Sequence, residues 1–584
     1  MTHVSLVLSC LLVSLASITA SASTPEQLDA ITPVRSCESL TAIDLTGIAG
    51  TGSKLTQAIS TNQEGKKQCV VEGHLSPSIT FNLILPEQGW TQRYLQVGCG
   101  GLCGRIGLQV GAADGCAPLN AGEFAMAGTD MGHQDQDGSF GHDQQKRADF
   151  AHRAVHLTAL ASVAVIKAFY GRAPAYRYFT GCSDGGREAL VEAQRYPEDF
   201  DGIIAGAAAL NFQVQNGFYH AWQARANTGE DGKAILVASR LPLLHQAVLK
   251  QCDGLDGLED GLLSDPRACH FDPQELQCKD GQQAETCLSA DEVKAAKQLY
   301  DGPRDPNTNE RLTAGGPQPG SELGWAGVFV PHDRDQPIFS KMIALQALRN
   351  LIFDPAPGPD FSLDDLRFEA KTFDLLRARH PLFDATNPDV SAFAATGGKL
   401  IIWHGWSDPH ISPINSIAYY EAMKAQLGET RTNDFSRLYL LPGVYHCSGG
   451  EGPAELDLLT PMMAWVEQGA VPDAIVTRQA PPRDRPNGFG APLGTPDAAG
   501  KPHFGASGER PPMMPMGGPQ DTPGSNLNIG RTRPVYPYPL VAAYNGQGDP
   551  QKAENYRSSA PLVVTQPVQW RGTDFFEPYV SPRH

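Results

Sequence analysis

Residues 176–190 read YRYFTGCSDGGREAL, and this stretch decides the predicted fold. Its first five residues are rich in aromatic and β-branched side chains, which favour a β-strand. Gly181 to Gly185 then match the pattern G-x-S-x-G, whose small residues permit a sharp turn that lifts a serine hydroxyl above a sheet. A helix is predicted from there to about Tyr196. The strand, turn and helix together favour a nucleophilic Ser183 over a simple glycine-rich turn.

Strands and helices alternate on both sides of this turn. Five further strands are predicted, at residues 93–97, 124–127, 201–206, 399–403 and 437–441. A long helix is predicted over residues 148–170 and ends at Gly171. This alternation is typical of a mainly parallel sheet. The sequence therefore predicts the α/β class, as an α/β-hydrolase core with a large helical lid insertion.

The insertion separates two halves of the predicted core. Residues 210–395 are helical and loopy, rich in Asp, Pro and Gly, and interrupt the strand pattern. We assign residues 23–209 and 396–584 to the catalytic domain and residues 210–395 to a lid domain. Residues 480–530 are rich in Pro and Gly and predict an extended loop or a partly disordered segment. The insertion also offers candidate substrate contacts, with none singled out: Trp325, Phe329, Phe353 and Arg349.

The composition and the N-terminus indicate an exported protein. The 584 residues carry a formal net charge of −18, which argues against nucleic acid or an anionic membrane as a partner. Residues 1–22 are apolar and close on Ala20-Ser21-Ala22, so they predict a signal peptide, with a buried helix as the alternative. Of the twelve cysteines, Cys10 lies in this segment. The other eleven predict disulfides in a secreted or periplasmic protein and leave one thiol over.

An acid and a base follow the last two predicted strands of the core. The first of these strands runs into Asp408 and the second into His446, in the chain order Ser, acid, His. His446 would take the proton from Ser183 and return it to the leaving alcohol, while Asp408 would fix its tautomer. His404 is the competing histidine, at the end of the same strand as the acid.

A cysteine stands beside the nucleophile and another beside the base. Cys182 precedes Ser183, and Cys447 follows His446. A disulfide needs Cα atoms about 4.4–6.8 Å apart, so a bridge between these cysteines would hold the two loops together.

The oxyanion hole needs two backbone N–H donors. The residue after the nucleophile, Asp184, should supply one. The glycine loop after the first core strand should supply the other, from Gly100 or Gly101, although the same glycines fit a plain tight turn.

The insertion contains an acidic loop between Cys252 and Cys269. Its carboxylates, Asp253, Asp256 and Asp260, could converge on one hard cation, or they could be solvated.

Three motifs carry a resemblance to a known family. The segments GCSDGGREAL, HGWSDPHISP and GVYHCSGG resemble those of the tannase and feruloyl esterase family, which includes mono(2-hydroxyethyl) terephthalate hydrolase. The resemblance runs from about Cys37 to Tyr556. It implies a cysteine pair flanking the triad Ser and His, and a structural Ca²⁺ in the lid. The implied ligands of this ion are Asp253, Asp256, Asp260 and the carbonyls of Leu258 and Leu262.

The chain also departs from the family. Tyr536 and Ser558 stand where relatives carry a cysteine pair, so that bridge should be absent. The pairing of Cys99, Cys103 and Cys116 is left open. The disulfides we expect are Cys182–Cys447, Cys252–Cys269, Cys278–Cys287 and Cys37–Cys69.

The expected function is that of a secreted serine carboxylesterase acting on small aromatic-acid esters of the feruloyl or galloyl type. A terephthalate monoester hydrolase is the first alternative. A secreted serine peptidase on the same fold and a non-catalytic binding module are less favoured. The acid, the alcohol and the oligomeric state are left open.

Overall fold

The computed structural model describes residues 24–63, 65–135, 137–479 and 530–582. The predicted signal peptide, residues 1–22, lies outside these residues, as does almost all of the predicted loop at 480–530.

One mixed sheet forms the centre of the molecule. Its nine strands are β1 (Lys54–Gln63), β2 (Lys66–Leu75), β3 (Ile79–Pro86), β4 (Arg93–Val97), β5 (Phe124–Thr129), β6 (Tyr176–Cys182), β7 (Gly202–Gly206), β8 (Lys399–Gly405) and β9 (Ser436–Leu441). Their order is β1-β2-β3-β5-β4-β6-β7-β8-β9. The pairs β1–β2, β2–β3 and β3–β5 are antiparallel and the other five pairs are parallel. The predicted mainly parallel α/β sheet is confirmed.

Two small antiparallel sheets complete the strands of the described chain. They pair β10 (Ile475–Arg478) with β11 (Thr532–Val535), and β12 (Val541–Tyr544) with β13 (Tyr556–Ser559).

The α-helices are mostly short. They are α1 (Thr46–Ala49), α2 (Ala117–Ala121), α3 (Gln144–Ala148), α4 (Ala154–Tyr170), α5 (Asp184–Arg195), α6 (Phe212–Val214), α7 (His220–Ala226), α8 (Leu241–Cys252), α9 (Ala290–Asp301), α10 (Phe339–Ala347), α11 (Ala370–Asp374), α12 (His380–Phe383), α13 (Ser391–Ala395), α14 (Pro413–Leu427), α15 (Glu429–Phe435) and α16 (Leu459–Gln468).

The long helix predicted over residues 148–170 is present. A π-helical turn, Asp149–Arg153, joins α3 to α4. Gly171 caps the C-terminus of α4 in the left-handed conformation, with a φ of 76° that glycine adopts without strain. Residues Gln144–Tyr170 are long and apolar enough to pass for a membrane span. However, 61% of their most apolar stretch is buried inside the protein, as in the core helix of a globular domain.

Most buried side chains of the segment between β7 and β8 join the hydrophobic core of the central sheet. The named elements of this segment are helices, from α6 to α13, with short 3₁₀ and π turns between them. Trp325 is fully buried and packs against Phe329 and Tyr300 at centroid distances of 5.3 Å and 5.0 Å. Two of the lid candidates, Trp325 and Phe329, are therefore packing residues of the insertion itself.

A buried ion pair fastens the last helix to the sheet. Arg93 at the start of β4 makes two 2.7 Å contacts with Glu467 near the end of α16. Tyr178 of β6 also donates to Glu467 at 2.7 Å, and the Arg and Glu side chains are 2% and 0% exposed. A buried charge is tolerated only when it is paired and hydrogen-bonded, as it is here.

Replacing Glu467 with Ala should destabilise the fold strongly, because Arg93 would be left buried without its partner. We expect a loss of about 3–5 kcal/mol in the free energy of unfolding, measured by urea denaturation. Asp364→Ala is the control, since its contact with Arg225 is exposed and its loss should hardly move the midpoint. Equal effects of the two variants would contradict this account.

Candidate active site

Ser183 lies in a strained turn between β6 and α5. Its φ of 65° and ψ of −122° lie in a region that side-chain-bearing residues rarely adopt, as expected for a nucleophile held on a sharp elbow. The glycines allow the strand and the helix to approach. A Cβ on Gly181 would stand 2.3 Å from the carbonyl oxygen of Gly185. The serine itself stays partly exposed.

Asp408 follows β8 and is completely buried. Its Oδ2 lies 2.7 Å from Nδ1 of His446 and 3.1 Å from Nε2 of His404. Its Oδ1 accepts the backbone N–H groups of His410 and Ile411 at 2.8 Å and 2.9 Å. Burial alone would raise the pKa of Asp408, but the charges of His446 and His404 and their hydrogen bonds to the carboxylate hold it far below the usual range. The carboxylate is therefore ionised.

The two histidines on Asp408 differ in access. His404 is fully buried, and its Nδ1 contacts the hydroxyl of Ser416 at 2.8 Å. His446 follows β9 and keeps 11% of its side chain exposed. Because Nδ1 of His446 is bound to the acid, Nε2 is left to face a hydroxyl or a substrate. His404 holds the acid in place and has no path to a substrate.

A disulfide joins the serine loop to the histidine loop. Cys182 and Cys447 are bonded, with their Cα atoms 6.0 Å apart across 265 residues of sequence. Ser183 and His446 are their chain neighbours, so their Cα atoms lie at most about 14 Å apart. The structure therefore brings the three predicted residues to the carboxyl ends of β6, β8 and β9.

The insertion grips the loop that carries the acid. A π-helical turn, Gln215–Tyr219, joins α6 to α7. The side-chain amide of Gln215 donates to the carbonyl of His410, and Gln223 donates to the carbonyl of Pro409 at 3.0 Å. The ring of His410 lies 4.9 Å from that of His446. Sequence reasoning missed these contacts; the glutamines gave no motif, although His410 lies only two residues from the acid.

The glycine loop lies beside the first turn of α5. Asp184 opens that helix, so its N–H has no acceptor within the helix. Gly100 and Gly101 are exposed, and a Cβ at either position would meet no atom within 4 Å. A disulfide between Cys99 and Cys103 closes the loop. It resolves the pairing that the sequence left open, and Cys116 is the free, buried thiol of the described chain.

The other predicted bridges are also present. They are Cys37–Cys69, Cys252–Cys269 and Cys278–Cys287, with Cα atoms 5.5, 5.4 and 4.9 Å apart.

The candidate metal ligands of the acidic loop in the insertion are all carboxylate or carbonyl oxygen atoms. Both oxygens of Asp253 accept the N–H of Gly261, and Asp256 accepts from the hydroxyl of Ser264 at 2.5 Å. Burial raises the pKa of Asp253 and of Asp256, and the charge of Asp260 raises both further. Carboxylates that repel one another in a partly buried loop fit a cation such as Ca²⁺.

Two arginines also reach this loop. Arg531 and Arg533 contact Asp260 from the C-terminal part of the chain. Leu258 and Leu262 follow Asp256 and Asp260 by two residues, and each donates its own N–H to the preceding carboxylate.

A different group of side chains is gathered more tightly. Within the described residues, the ligand atoms of Cys99, Cys103, Asp184 and Glu188 all lie within 4.8 Å of one another. The two sulfurs are bonded to each other, and Asp184 is paired with buried Arg187 at 2.6 Å. These atoms are therefore engaged with one another, and the acidic loop of the insertion is not gathered to this degree.

Similarity to known proteins agrees with this geometry. Residues 63–559 match the family described as tannase and feruloyl esterase. The chain is 32% identical over 538 residues to the mono(2-hydroxyethyl) terephthalate hydrolase of Piscinibacter sakaiensis, covering 83% of this chain and 82% of that protein. It is also 32% identical over 431 residues to a probable feruloyl esterase B-2 of Aspergillus flavus, covering 69% and 78%.

Solved structures support the fold. The crystal structure of feruloyl esterase B from Aspergillus oryzae superposes with a TM-score of 0.70 at 23% identity, covering 90% of this chain and all of that one. The predicted α/β-hydrolase fold is thus confirmed. The chain belongs to the tannase and feruloyl esterase family and is a carboxylic ester hydrolase.

Proposed function

We propose that the protein hydrolyses esters through an acyl-enzyme on Ser183. The contact between His446 and ionised Asp408 is the observation that carries the proposal, because it leaves Nε2 of the imidazole as the base. The bridge beside Ser183 and His446 supports their alignment.

The steps follow from these positions. Ser183 Oγ attacks the ester carbonyl carbon while His446 Nε2 takes its proton. The resulting oxyanion accepts N–H groups from Asp184 and from Gly100 or Gly101. The intermediate collapses, and His446 returns the proton to the departing alcohol. Water then attacks the acyl-enzyme by the same route and releases the acid.

We propose aromatic-acid esters as substrates, with hydroxybenzoate and hydroxycinnamate esters first and terephthalate monoesters second. The named relatives support both classes, since they are a probable feruloyl esterase and a mono(2-hydroxyethyl) terephthalate hydrolase. The triad and the oxyanion donors of the core contact only the ester group. Discrimination between acids therefore depends on the insertion, residues 210–395, acting as a lid. Its contacts with the acid loop at His410 and Pro409 support that role.

We also propose that the chain is exported. Five disulfides in the described residues support an oxidising compartment, and residues 1–22 would be the cleaved signal peptide.

We propose a structural Ca²⁺ in the lid, held by Asp253, Asp256, Asp260 and the carbonyls of Leu258 and Leu262. The ion would neutralise the acidic loop and stabilise the insertion, and no step of the reaction uses it.

The substrate class is tested by comparing kcat/KM for methyl ferulate, methyl gallate and methyl acetate. Burying one aromatic ring should favour the aryl acids by about 10- to 100-fold. Ser183→Ala supplies the uncatalysed background. A preference for acetate would contradict the aromatic class while leaving the serine mechanism intact. Faster hydrolysis of mono(2-hydroxyethyl) terephthalate would select the alternative, and cleavage of peptides would indicate a peptidase.

Replacing both Cys182 and Cys447 with Ala should lower kcat/KM by about 10-fold or more, because small misplacements of a triad are costly. The double replacement of Cys37 and Cys69 is the control and should lower stability with little change in kcat/KM. Free thiols at Cys182 or Cys447 in active protein would contradict the role of this bridge.

Chelation of calcium should lower the melting temperature, because a ligand bound only to the folded state stabilises it. Asp253→Asn should abolish this response, whereas Asp272→Asn, at an exposed carboxylate of the same insertion, should keep it. An unchanged melting temperature and no metal by mass spectrometry would refute the ion and leave Arg531 and Arg533 to neutralise Asp260.

A further inference from the structure

The two proposed donors of the oxyanion hole come from separate segments. One is the N–H of Asp184, at the start of α5, and the other belongs to the glycine loop at Gly100 or Gly101. Such donors stabilise the transition state only at a fixed distance from the developing charge. Something must therefore hold the loop against the helix.

Glu188 lies where the two segments meet. It is one turn after Asp184 on α5, and its Oε1 accepts the N–H of Cys99 at 3.3 Å. The same oxygen lies 2.8 Å from Sγ of Cys99 and 3.4 Å from Sγ of Cys103. One carboxyl group thus touches both ends of the loop that contains Gly100 and Gly101.

The backbone of the loop packs directly on the helix. A Cβ on Gly98 would stand 2.7 Å from Cα of Gly185 and 2.9 Å from Oε2 of Glu188. A Cβ on Gly185 would in turn meet the carbonyl of Cys99 at 2.9 Å. There is no room for a side chain at either glycine, so the loop backbone lies in direct contact with both the helix backbone and the Glu188 carboxyl.

We propose that Glu188 is a positioning residue that, with the Cys99–Cys103 bridge, locks the glycine loop onto the first turn of α5 and so fixes the separation of the two oxyanion donors. The proposal rests on the oxyanion role given to these segments above. Glu188 acts through the loop and does not touch the substrate.

The electrostatics of the site favour a neutral carboxyl. Glu188 is 1% exposed, and its Oε2 is buried without a hydrogen-bond partner among the residues that the structure describes. Burial raises the pKa of Glu188 well above its usual range, and the neighbouring charge of Asp184 raises it further, against the lowering effect of Arg187. A glutamine would therefore reproduce both its shape and its acceptor.

Three single variants separate positioning from packing. Glu188→Gln keeps the acceptor for the Cys99 N–H and should keep kcat within about twofold, whereas Glu188→Leu removes it and should lower kcat by about 10- to 100-fold with little change in KM. Glu192→Leu is the matched control. Glu192 lies one turn further along α5, is fully buried, has a raised pKa and neighbours Asp199 instead of the loop. It should lose stability and keep kcat.

The inhibition constant of an arylboronic acid distinguishes positioning from packing, because a residue that only stabilises the fold should not change it. The boronate forms a tetrahedral adduct on Ser183, so its inhibition constant should rise in parallel with the loss of kcat/KM in Glu188→Leu. Inhibition by the product acid, which is planar, should stay unchanged. If Glu188→Leu does not fold, replacing Cys99 and Cys103 together with Ser should give the same pattern, with a smaller loss of kcat.

Several outcomes would overturn the proposal. They are full kcat in Glu188→Leu, equal losses in Glu188→Gln and Glu188→Leu, and a rise in KM at constant kcat. Each would leave the ester hydrolase standing. Activity that persists in Ser183→Ala would instead defeat the proposed function itself.

Discussion

The bond between Cys182 and Cys447 is the constraint on which the rest of the site depends. It joins the end of β6 to the loop after β9 across 265 residues of sequence. Closing so long a loop restricts the unfolded chain strongly, and in the folded state it sets the strained serine turn beside the histidine loop. In the sheet, β7 and β8 lie between β6 and β9. Asp408, which follows β8, therefore lies at the same carboxyl end of the sheet as the disulfide. One covalent link and the parallel part of the sheet therefore gather the three residues of the proposed triad.

The position of Asp408 is the second constraint on the site, and residues of the insertion help to hold the loop that carries it. His404 supports Asp408 from within the core, while Gln215 and Gln223 of the insertion donate to the carbonyls of His410 and Pro409. A segment that fixes the acid loop can couple the packing of the insertion to the alignment of His446. Variation in the insertion could therefore alter both the substrate contacts and the support of the acid loop, because insertion and core share one hydrophobic cluster as well as these hydrogen bonds.

The sequence sufficed for the elements whose pattern is local. The elbow around Ser183, the strands before Asp408 and His446 and the helix ending at Gly171 all carry short-range signals. The antiparallel strands β1 to β3 were not predicted; β1 has few buried side chains, so its pattern is weak. The contacts of Gln215, Gln223 and Glu188 join residues through the fold, and no spacing marks them. The pairing of Cys99 with Cys103 likewise depended on which of three cysteines the loop brings together.

The central claim is that Ser183 is the nucleophile, activated by His446. It is tested most directly by incubating the mature enzyme with an aryl fluorophosphonate and mapping the modified peptide by mass spectrometry. We predict a single adduct on Ser183, prevented by substrate and formed far more slowly in His446→Ala, with ester hydrolysis lost as the label enters. An adduct on another residue, or full hydrolysis by protein labelled at Ser183, would contradict the account.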